Sequence, residues 1–488
     1  MFYKQKLIIL FIFLINIPLF NGNKVFKQNN FLFFDPVTKN PCNETNYWTP
    51  FDQNTTCFRF VSLKIDDSET NSKIKIMLDH NIGVSNYSSY KNVLKKKTKN
   101  WSRYNGAIQI IDQSTIFKIM KYTTKPTKSS LSKPPFRLGY YLSNSHYILK
   151  GKTVNEKGYW TKNAFNINLI YAIDENGNNI LTSPLRKMGI RPVLEIEKSL
   201  LVPDSGVIDI SGIIKKGEII QYLRENKEYD GLIYKQLQGF TVTKDKLIFM
   251  SSNNNNRPKS IIYSYKLNDL KKLYKKEYGT TGHGNGMTYN SKTDKVLVVG
   301  PFEYSKVYMY NGQTLTKEKE YPKEKYPKFS AIGYDYNDDL YVGQCSRKIF
   351  LADTNQMKKL YEFDISTFEG GQDLEYYNGY TFFCTSDLSG SSKYQSYSFY
   401  KKGDNIIYVY DTNLDKDKNP SKNFGRLKYR LFISGLGELE GISFRGGYVY
   451  FGFAPHKLST YSYVFYKVEY KLFEKEIKKL TSKKKIKK

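Results

Sequence analysis

The sequence is poor in the residues that build metal centres and disulfide frameworks. Its 488 residues include only four histidines and four cysteines, and no two cysteines have CxxC spacing. These counts argue against a structural zinc site and exclude a disulfide-dense scaffold. Glycine and proline, with 33 and 16 residues, are too scarce for a collagen-like or low-complexity chain. We therefore expect a folded protein that needs no metal or other cofactor.

Long hydrophobic runs are confined to the N-terminus. Lys4 and Lys6 precede an apolar run from Leu7 to Phe20, and no later segment has about 18 uninterrupted apolar residues. A charged start, a short apolar stretch and small residues after it are typical of a secretory signal peptide, which we place at residues 1–22. An uncleaved anchor is the alternative. The sequence thus predicts a secreted, extracellular protein with no membrane span after cleavage.

Negative charge is scarce as well. Lysine and arginine number 76 against 46 acidic residues, which gives a net charge of +30. In a secreted protein this surplus favours anionic wall polymers or acidic glycans as partners, and we expect no nucleic-acid partner. Most lysines are scattered, so an AT-rich genome with lysine-rich codon usage explains the surplus at least as well. Only residues 471–488 form a concentrated basic block, which we interpret as an interaction tail.

Aromatic residues are abundant, with 43 tyrosines and 31 phenylalanines, and they favour β-strands. Five segments share one pattern of a polar residue, a small or polar residue, an alternating apolar run, a polar turn and a second strand. These segments begin at Gln238, Asn285, Ser330, Gln372 and Glu440. Successive segments are 47, 45, 42 and 68 residues apart at their second positions, and the first three intervals match a four-stranded propeller blade. The repeat predicts a five-bladed β-propeller over residues 231–470.

The glycine-rich segment Gly282–Gly286 belongs to this repeat. A phosphate-binding loop lies between a strand and a helix, whereas a strand follows the glycines here. His283 has no serine elbow or HExxH partner, so we interpret it as structural or as lining a ligand site, not as catalytic.

The cysteines fit an oxidising compartment. Cys42 and Cys57 would close a short loop, and we predict a disulfide between them that contributes about 3 kcal/mol. Cys345 and Cys384 end the second strands of consecutive repeat units. Strands of adjacent blades at equal radius are commonly farther apart than the Cα separation of about 4.4–6.8 Å that a disulfide needs, so we predict two free, buried thiols.

Residues 23–200 lack the repeat and mix helical and strand patterns. Asn105–Tyr122 carries apolar residues at helical spacing, whereas Lys73–His80 and Phe165–Asn179 alternate or run apolar like strands. Trp160 is a candidate core aromatic. We predict an α+β domain here. A linker at residues 201–230, with a short helix at Lys216–Asn226, would join it to the propeller in a mainly β protein.

Both halves resemble known modules. The segments FFDPVTKNPC, TTCFRF, IKIMLDHN, GYWT and MGIRPVLEIEKS resemble a secreted module of low-GC bacteria in the C-type-lectin-like, formylglycine-generating-enzyme-like fold group. That resemblance implies a lectin-like α+β domain closed by a final strand. It does not imply catalysis, since the sulfatase-modifying relatives need paired cysteines late in the fold, and this half has only two early ones.

The second half is similar to secreted bacterial propellers and to the binding heads of phage receptor-binding proteins. The similarity lies in the QGF, GHGNGMTYN and GELEGI segments, the last beginning at Gly437. Among these, Gly284 and Gly286 around Asn285 depart from the usual pattern. The resemblance implies binding of a glycan or a wall polymer.

Aligning the five units predicts the ligand site. Innermost strands of a propeller start at one end of its central channel, so equivalent residues converge there. The residues that would form this axial ring are Gln238, Asn285, Ser330, Gln372 and Glu440, with His283 and Asp373 as immediate neighbours. Polar groups around a concave opening suit a hydroxyl-rich ligand. The open alternative is that they only hydrogen-bond neighbouring blades and buried water.

The leading functional hypothesis is a non-enzymatic secreted protein that binds carbohydrate or an anionic cell-surface polymer through the propeller. A glycosidase or lyase is the first alternative, because such chemistry needs two suitably placed carboxylates. The carboxylates available near blade starts are Asp373, Glu375, Glu438 and Glu440. A bacteriocin-like antagonistic protein or a protein-interaction scaffold is the second alternative.

Overall fold

The computed structural model describes most of the chain beyond its N-terminus. The described residues are 31–38, 42–43, 45–63, 73–101, 108–119, 148–149, 152–153, 158–174, 179–197, 202–203, 207–224, 228–229, 232–233, 236–252, 260–267, 269–279, 286–300, 306–321, 329–345, 348–365, 371–385, 404–454 and 462–486. The predicted signal peptide, His283 and Asn285 lie outside these residues.

Two sheets and short helices form the N-terminal half. The strands are β1 (Phe31–Phe34), β2 (Phe58–Ser62), β3 (Lys73–Leu78), β4 (Gly83–Ser85), β5 (Gln109–Ile110), β6 (Ile148–Leu149), β7 (Lys152–Thr153), β8 (Tyr159–Asn166), β9 (Leu169–Ile173), β10 (Asn179–Thr182), β11 (Met188–Ile190), β12 (Pro192–Glu197) and β13 (Val202–Pro203). The helices are α1 (Tyr90–Lys97), preceded by a 3₁₀ turn at Tyr87–Ser89, and α2 (Gln113–Ile119). One sheet has the order β13-β1-β2-β3-β12-β5 and the other β10-β9-β8-β11-β4.

Trp160 anchors the core between these elements, as the sequence predicted. Its side chain is fully buried, and its indole N–H donates to the carbonyl of Ser85 at 2.8 Å. The predicted helix at Asn105–Tyr122 is only partly correct. Gln109–Ile110 is a strand that pairs with β12, and the helix begins at Gln113.

The remaining strands build five further sheets and one hairpin. They are β14 (Ile208–Asp209), β15 (Glu218–Arg224), β16 (Glu228–Tyr229), β17 (Leu232–Ile233), β18 (Gln236–Val242), β19 (Lys246–Ser252), β20 (Ser260–Lys266), β21 (Asp269–Gly279), β22 (Gly286–Asn290), β23 (Lys295–Val299), β24 (Val307–Asn311), β25 (Lys317–Tyr321), β26 (Ala331–Asp335), β27 (Leu340–Cys345), β28 (Lys348–Asp353), β29 (Lys359–Asp364), β30 (Gly371–Tyr377), β31 (Tyr380–Thr385), β32 (Asn405–Asp411), β33 (Leu427–Ile433), β34 (Glu438–Arg445), β35 (Tyr448–Ala454) and β36 (Ser462–Glu469). Helices α3 (Ser211–Lys215) and α4 (Tyr470–Ile486) complete the described elements.

Four of these sheets follow the chain as consecutive antiparallel strands. The first sheet is β18 to β21, the second β22 to β25, the third β26 to β29 and the fourth β30 to β33. The fifth sheet has the order β15-β36-β35-β34, so an early strand completes the last sheet. Short strands extend two of these sheets. β6 and β7 continue the third sheet beyond β29, and β14 pairs in parallel with β33 at the edge of the fourth sheet.

One edge strand of each of the five sheets, the innermost strand, packs beside the innermost strands of two other sheets. β18 contacts β22, β22 contacts β26, β26 contacts β30, β30 contacts β34, and β34 contacts β18. An apolar core lies between each sheet and the next, and a further core joins the fifth sheet to the first. Four-stranded sheets packed face to face around their innermost strands are the arrangement of a β-propeller.

The turn between the first and second strands has the same chemistry in several sheets. Asp294, Asp339 and Asn378 follow the first strands of three consecutive sheets, and all have positive φ angles of 50–57°. Asp and Asn tolerate this left-handed region better than other residues with a side chain. The Tyr289 hydroxyl donates to Asp294 Oδ1 at 2.9 Å, and Tyr334 repeats the same bond to Asp339 at 2.8 Å. The same local chemistry thus closes successive hairpins.

Two segments differ from their predicted structures. Lys216–Asn226 was predicted as a helix, but Glu218–Arg224 is strand β15 and pairs with β36, about 240 residues away. The β-favouring run Ile219-Ile220 accords with a strand once this distant partner is present. The basic block at the C-terminus forms helix α4, and Phe473 and Ile477 pack into the core between the fourth and fifth sheets. No helix among the described residues is long and apolar enough to cross a membrane.

Cys42 and Cys57 form the predicted disulfide, with their Cα atoms 5.6 Å apart. The loop that it closes contacts the fourth sheet, where Arg426 donates to the carbonyl of Tyr47 at 2.6 Å and to Asp52 Oδ2 at 2.7 Å. The other two cysteines are free thiols, as predicted. Cys384 is fully buried, whereas Cys345 is only half-buried.

Candidate functional site

β-Bulges mark the starts of three innermost strands. Strand pairing shifts register between Leu237 and Gly239, between Gly371 and Asp373, and between Leu439 and Gly441. The bulged residues are Gln238, Gln372 and Glu440. A bulge leaves one residue unpaired and re-aims its side chain, and bulges are over-represented beside active sites. The three residues that the repeat aligned therefore share one backbone irregularity.

The other members of the predicted axial ring are less informative. Ser330 precedes β26, is half-buried, and donates its backbone N–H to the carbonyl of Gln344 at 2.6 Å. The register of β26 has no shift beside it. Asn285 and its neighbour His283 are not among the described residues. The axial ring as a whole stays a prediction, supported at three of its five positions by the common bulge.

The three bulged residues differ in exposure. Gln238 and Glu440 are buried, with exposures of 4% and 3%. Gln372 is half-buried, and its amide Nε2 donates to Glu438 Oε1 at 2.9 Å. Glu438 is half-buried too, so this hydrogen bond lies at the accessible edge of the cluster and links the fourth and fifth sheets. Solvent, or a ligand, reaches Gln372 and Glu438 before it reaches the buried groups.

Asp373 stands where the other four innermost strands have a small residue. The equivalent residues are Gly239, Gly286, Ala331 and Gly441. The Asp373 carboxyl fits because Gly441 has no side chain, since a Cβ there would lie 2.5 Å from Asp373 Oδ2. That oxygen accepts from the backbone N–H of Ile442 at 3.4 Å. Asp373 thus occupies space that the fifth sheet leaves open.

Glu375, two residues further along β30, joins three sheets. It accepts from the backbone N–H groups of Tyr334 at 3.3 Å and Tyr376 at 3.0 Å, and from the Thr288 hydroxyl at 3.3 Å. Burial raises the pKa of the Glu375 carboxyl to about 8, although these hydrogen bonds oppose the shift. Its side chain is therefore mainly a structural tie between the second, third and fourth sheets.

Neighbouring carboxyls add to the effect of burial on the pKa values of Asp373 and Glu440. Burial first, and then the charge of Glu375, raise the pKa of Asp373 well above its ordinary value. Burial raises the pKa of Glu440 in the same way, and the charges of Glu438 and Asp373 add to it. Both effects favour the protonated forms of Asp373 and Glu440. A protonated carboxyl can donate one hydrogen bond and accept others, which suits a polar ligand.

Asn405 fixes the start of the fifth innermost strand, and sequence analysis missed it. Its amide Nδ2 donates to the carbonyl of Gly437 at 2.8 Å, while its Oδ1 accepts from the backbone N–H of Leu439 at 2.9 Å. These two bonds hold the backbone on both sides of Glu438. Asn405 lies at the start of a third strand, where no repeated motif singles it out.

Metal binding finds no support in the described part of the chain. No group of three or more His, Cys, Asp or Glu side chains there is arranged to hold a metal ion.

Comparisons with known proteins concern the fold alone. No protein-family model and no curated protein matches the chain. The glutaminyl cyclase of Myxococcus xanthus is 10% identical over 52% of this chain and 96% of its own, with a TM-score of 0.34. The tail fibre of Staphylococcus aureus phage P68 is 12% identical over 54% of this chain and 57% of its own, with a TM-score of 0.35. BamB of Moraxella catarrhalis is 7% identical over 51% of this chain and 99% of its own, with a TM-score of 0.27.

Proposed function

We propose that this chain is a secreted, non-enzymatic protein that binds carbohydrate at the axial ring of a five-bladed β-propeller. The observation that carries the proposal is the β-bulge shared by Gln238, Gln372 and Glu440. A bulge leaves one residue outside regular pairing and re-aims its side chain, so three bulges at one repeat position release these three polar side chains from the regular alternation of the strand.

The packing of the sheets supports five blades. Five innermost strands contact one another in sequence, and the fifth contacts the first. The core between the fifth and first sheets contains Phe240 and Phe249 from one side and Tyr450 and Phe465 from the other. Strand β15 completes the fifth sheet by pairing with β36. This pairing ties the last blade to a segment that precedes the first, as closure of a propeller requires.

Carbohydrate fits the site better than an anionic polymer does. The side chains at the accessible edge, Gln372 and Glu438, offer an amide and a carboxylate, which are hydrogen-bonding partners for hydroxyl groups. The groups behind them are buried carboxyls whose protonated forms are favoured, so they offer no positive charge to a phosphate or sulfate group. The net charge of +30 brings anionic surfaces near the protein, but it is not concentrated at this site.

The N-terminal half is proposed as a lectin-like α+β domain that supports the propeller. Its two sheets and helices α1 and α2 agree with an α+β class. The disulfide between Cys42 and Cys57 suits an oxidising, extracellular location. Contacts of the disulfide loop with Arg426 would hold this domain against the fourth blade.

A glycan array probed with the full-length chain tests the proposal. Replacing Gln372 by Ala should weaken binding to the preferred glycan at least tenfold, because its amide lies at the accessible edge. Gln356→Ala is the matched control, since that exposed glutamine lies in an outer turn of the third sheet. Retained binding in Gln372→Ala, with both variants folded, would remove the axial ring as the site.

A glycosidase is the second candidate, and one observation favours it. Asp373 and Glu440 carry raised pKa values, as a general acid requires, and the charge of Asp373 adds to the shift of Glu440. Hydrolysis of an array glycan by the wild-type chain, abolished in Glu440→Gln, would establish the enzyme. Binding without turnover would favour the non-enzymatic proposal.

A further inference from the structure

The sheet β10-β9-β8-β11-β4 carries the two most exposed large apolar side chains in the described part of the chain. Ile167, at the turn of the β8–β9 hairpin, is 88% exposed, and Leu185, in the turn between β10 and β11, is 81% exposed. Phe165, near the end of β8, is 47% exposed. Single exposed apolar residues are ordinary, whereas apolar side chains gathered at one place on the surface mark an interaction site.

Strand pairing and hydrogen bonds bring the two turns together. The turn between β10 and β11 begins beside the hairpin, because Thr182 pairs with Ile170. Tyr87 then bridges the turn and the hairpin, since its backbone N–H donates to the carbonyl of Pro184 at 2.9 Å and its hydroxyl donates to the carbonyl of Lys162 at 2.6 Å. The three apolar side chains therefore belong to one region, the apolar tip, defined by Phe165, Ile167 and Leu185.

The apolar tip protrudes and is held in shape by its own hydrogen bonds. The last five residues of β8 are all exposed, and successive residues of a strand face opposite sides, so both faces of the hairpin meet solvent there. The backbone N–H of Asn168 donates to Asn166 Oδ1 at 2.9 Å, and that of Arg186 donates to the carbonyl of Ser183 at 3.1 Å. Turns that are already ordered lose little conformational freedom when they bind a partner.

The charge around the apolar tip is positive. Strands β4, β8, β9, β10 and β11, helix α1 and the two turns of the tip contain no aspartate or glutamate. The basic residues of these elements are all exposed: Lys91, Lys95, Lys96, Lys97, Lys162, Arg186 and Lys187. Asp174 lies at the opposite end of β9, and Asp112, near the hairpin, already accepts from Ser114 and Thr115.

A membrane surface with anionic lipids fits this combination of shape and charge. Apolar side chains enter the boundary between headgroups and acyl chains, and lysines beside them attract anionic headgroups. A stable protein partner needs about 800 Å² of surface on each side, which is more than three side chains provide. The net charge of +30 adds long-range attraction to an anionic surface.

We propose that the apolar tip docks this chain on membrane surfaces that expose anionic lipids. Phe165, Ile167 and Leu185 enter the interfacial layer, and the basic residues around them contact the headgroups. This inference concerns the N-terminal half and does not depend on the axial ring. A lipid surface and a carbohydrate ligand are thus bound by different parts of the molecule.

Flotation of the full-length chain with phosphatidylcholine vesicles, prepared with and without phosphatidylserine, tests the inference. Vesicles with phosphatidylserine should bind the chain at least tenfold more tightly than those without it. Ile167→Ser combined with Leu185→Ser should weaken this binding at least tenfold. Ile219→Ser combined with Leu472→Ser is the matched control, since both side chains are exposed outside the N-terminal half. Every variant keeps the same termini, so differences between variants report on the tip.

A second pair of variants separates attraction from insertion. Arg186→Gln combined with Lys187→Gln should reduce the preference for phosphatidylserine at least threefold, because two charges beside the apolar tip are lost. Lys416→Gln combined with Lys422→Gln lowers the net charge equally, at exposed positions of the loop between β32 and β33, and should keep the preference.

Several results would overturn the docking proposal. One is equal vesicle binding by the wild type and by the folded Ile167→Ser, Leu185→Ser variant, and another is no binding to either vesicle. Self-association of the wild type without lipid in sedimentation velocity, lost in the same variant, would show that the tip binds a second copy of the chain. A melting curve shows that each variant is folded, and glycan binding by the axial ring is unaffected by all of these outcomes.

Discussion

Strands β22 and β30 hold equivalent positions in the repeat, but they carry side chains of different size and chemistry at the centre of the propeller. β22 presents Gly286 and Thr288, whereas β30 presents Asp373 and Glu375 at the same two positions. The residue between them is apolar and fully buried in both strands. Gly286 of β22 packs closely against the backbone of the third sheet, whereas β30 carries two buried carboxyl groups at the equivalent positions. The apolar positions of the repeat form the core. The candidate site lies where a residue at another position of the repeat, such as Asp373, differs from its equivalents in the other strands.

The largest expected effect comes from adding a side chain to Gly286 of β22, where the backbones are closely packed. A Cβ at Gly286 would lie 2.9 Å from the Cα of Ala331, which is backbone and cannot move aside easily. Gly286→Val should therefore lower the free energy of unfolding by about 3 kcal/mol. Urea denaturation measures this, with Gly212→Ala as control because a Cβ there meets no atom within 4 Å. Equal stability of both variants would mean that the innermost strands are not tightly packed.

A second test uses the titration of Glu375. Its pKa is about 8 in the folded protein against an ordinary 4.5, so the folded state prefers the protonated form. Relative to Glu375→Gln, the wild type should lose stability as the pH rises from about 5 to 8 and change little above that. The expected relative loss between pH 6 and pH 8 is about 2 kcal/mol. Parallel pH profiles for the two proteins would show that Glu375 is not buried in this way.

The smallest expected effect concerns the start of β34, where Asn405 holds the backbone around Glu438. Asn405→Ala leaves a buried carbonyl and a buried N–H without these bonds, and should cost about 1–2 kcal/mol of stability. Weakened glycan binding should accompany this loss, because Glu438 and Glu440 are no longer held in place. Asn355→Ala, at an exposed turn, is the control. Full binding in Asn405→Ala would limit this residue to a structural role.

Much of the propeller could be predicted from sequence because its repeat is local. Each unit carries its own alternating strands and its own turn residue, such as Asp294 or Asp339, so the pattern is visible within about 40 residues. Strand β15 could not be predicted in the same way. Its run of β-favouring residues was ambiguous until its pairing with β36, near the other end of the chain, selected a strand.

The candidate site was only partly visible in the sequence for a related reason. Alignment of the repeat found Gln372, Asp373 and Glu440, since each departs from or begins a recognisable unit. It gave no sign of the bulges, which depend on pairing between strands, or of Asn405, whose partners are 32 and 34 residues away. Side-chain direction, and hence the hydrogen bond between Gln372 and Glu438, emerges only when the sheets are assembled.

The most direct test of carbohydrate binding at the axial ring is a crystal structure of the full-length chain with its best array glycan. We predict that the sugar contacts Gln372 and Glu438 at the start of the fourth and fifth innermost strands. A glycan bound only to the N-terminal half, with the axial ring empty in the same crystal, would contradict the account.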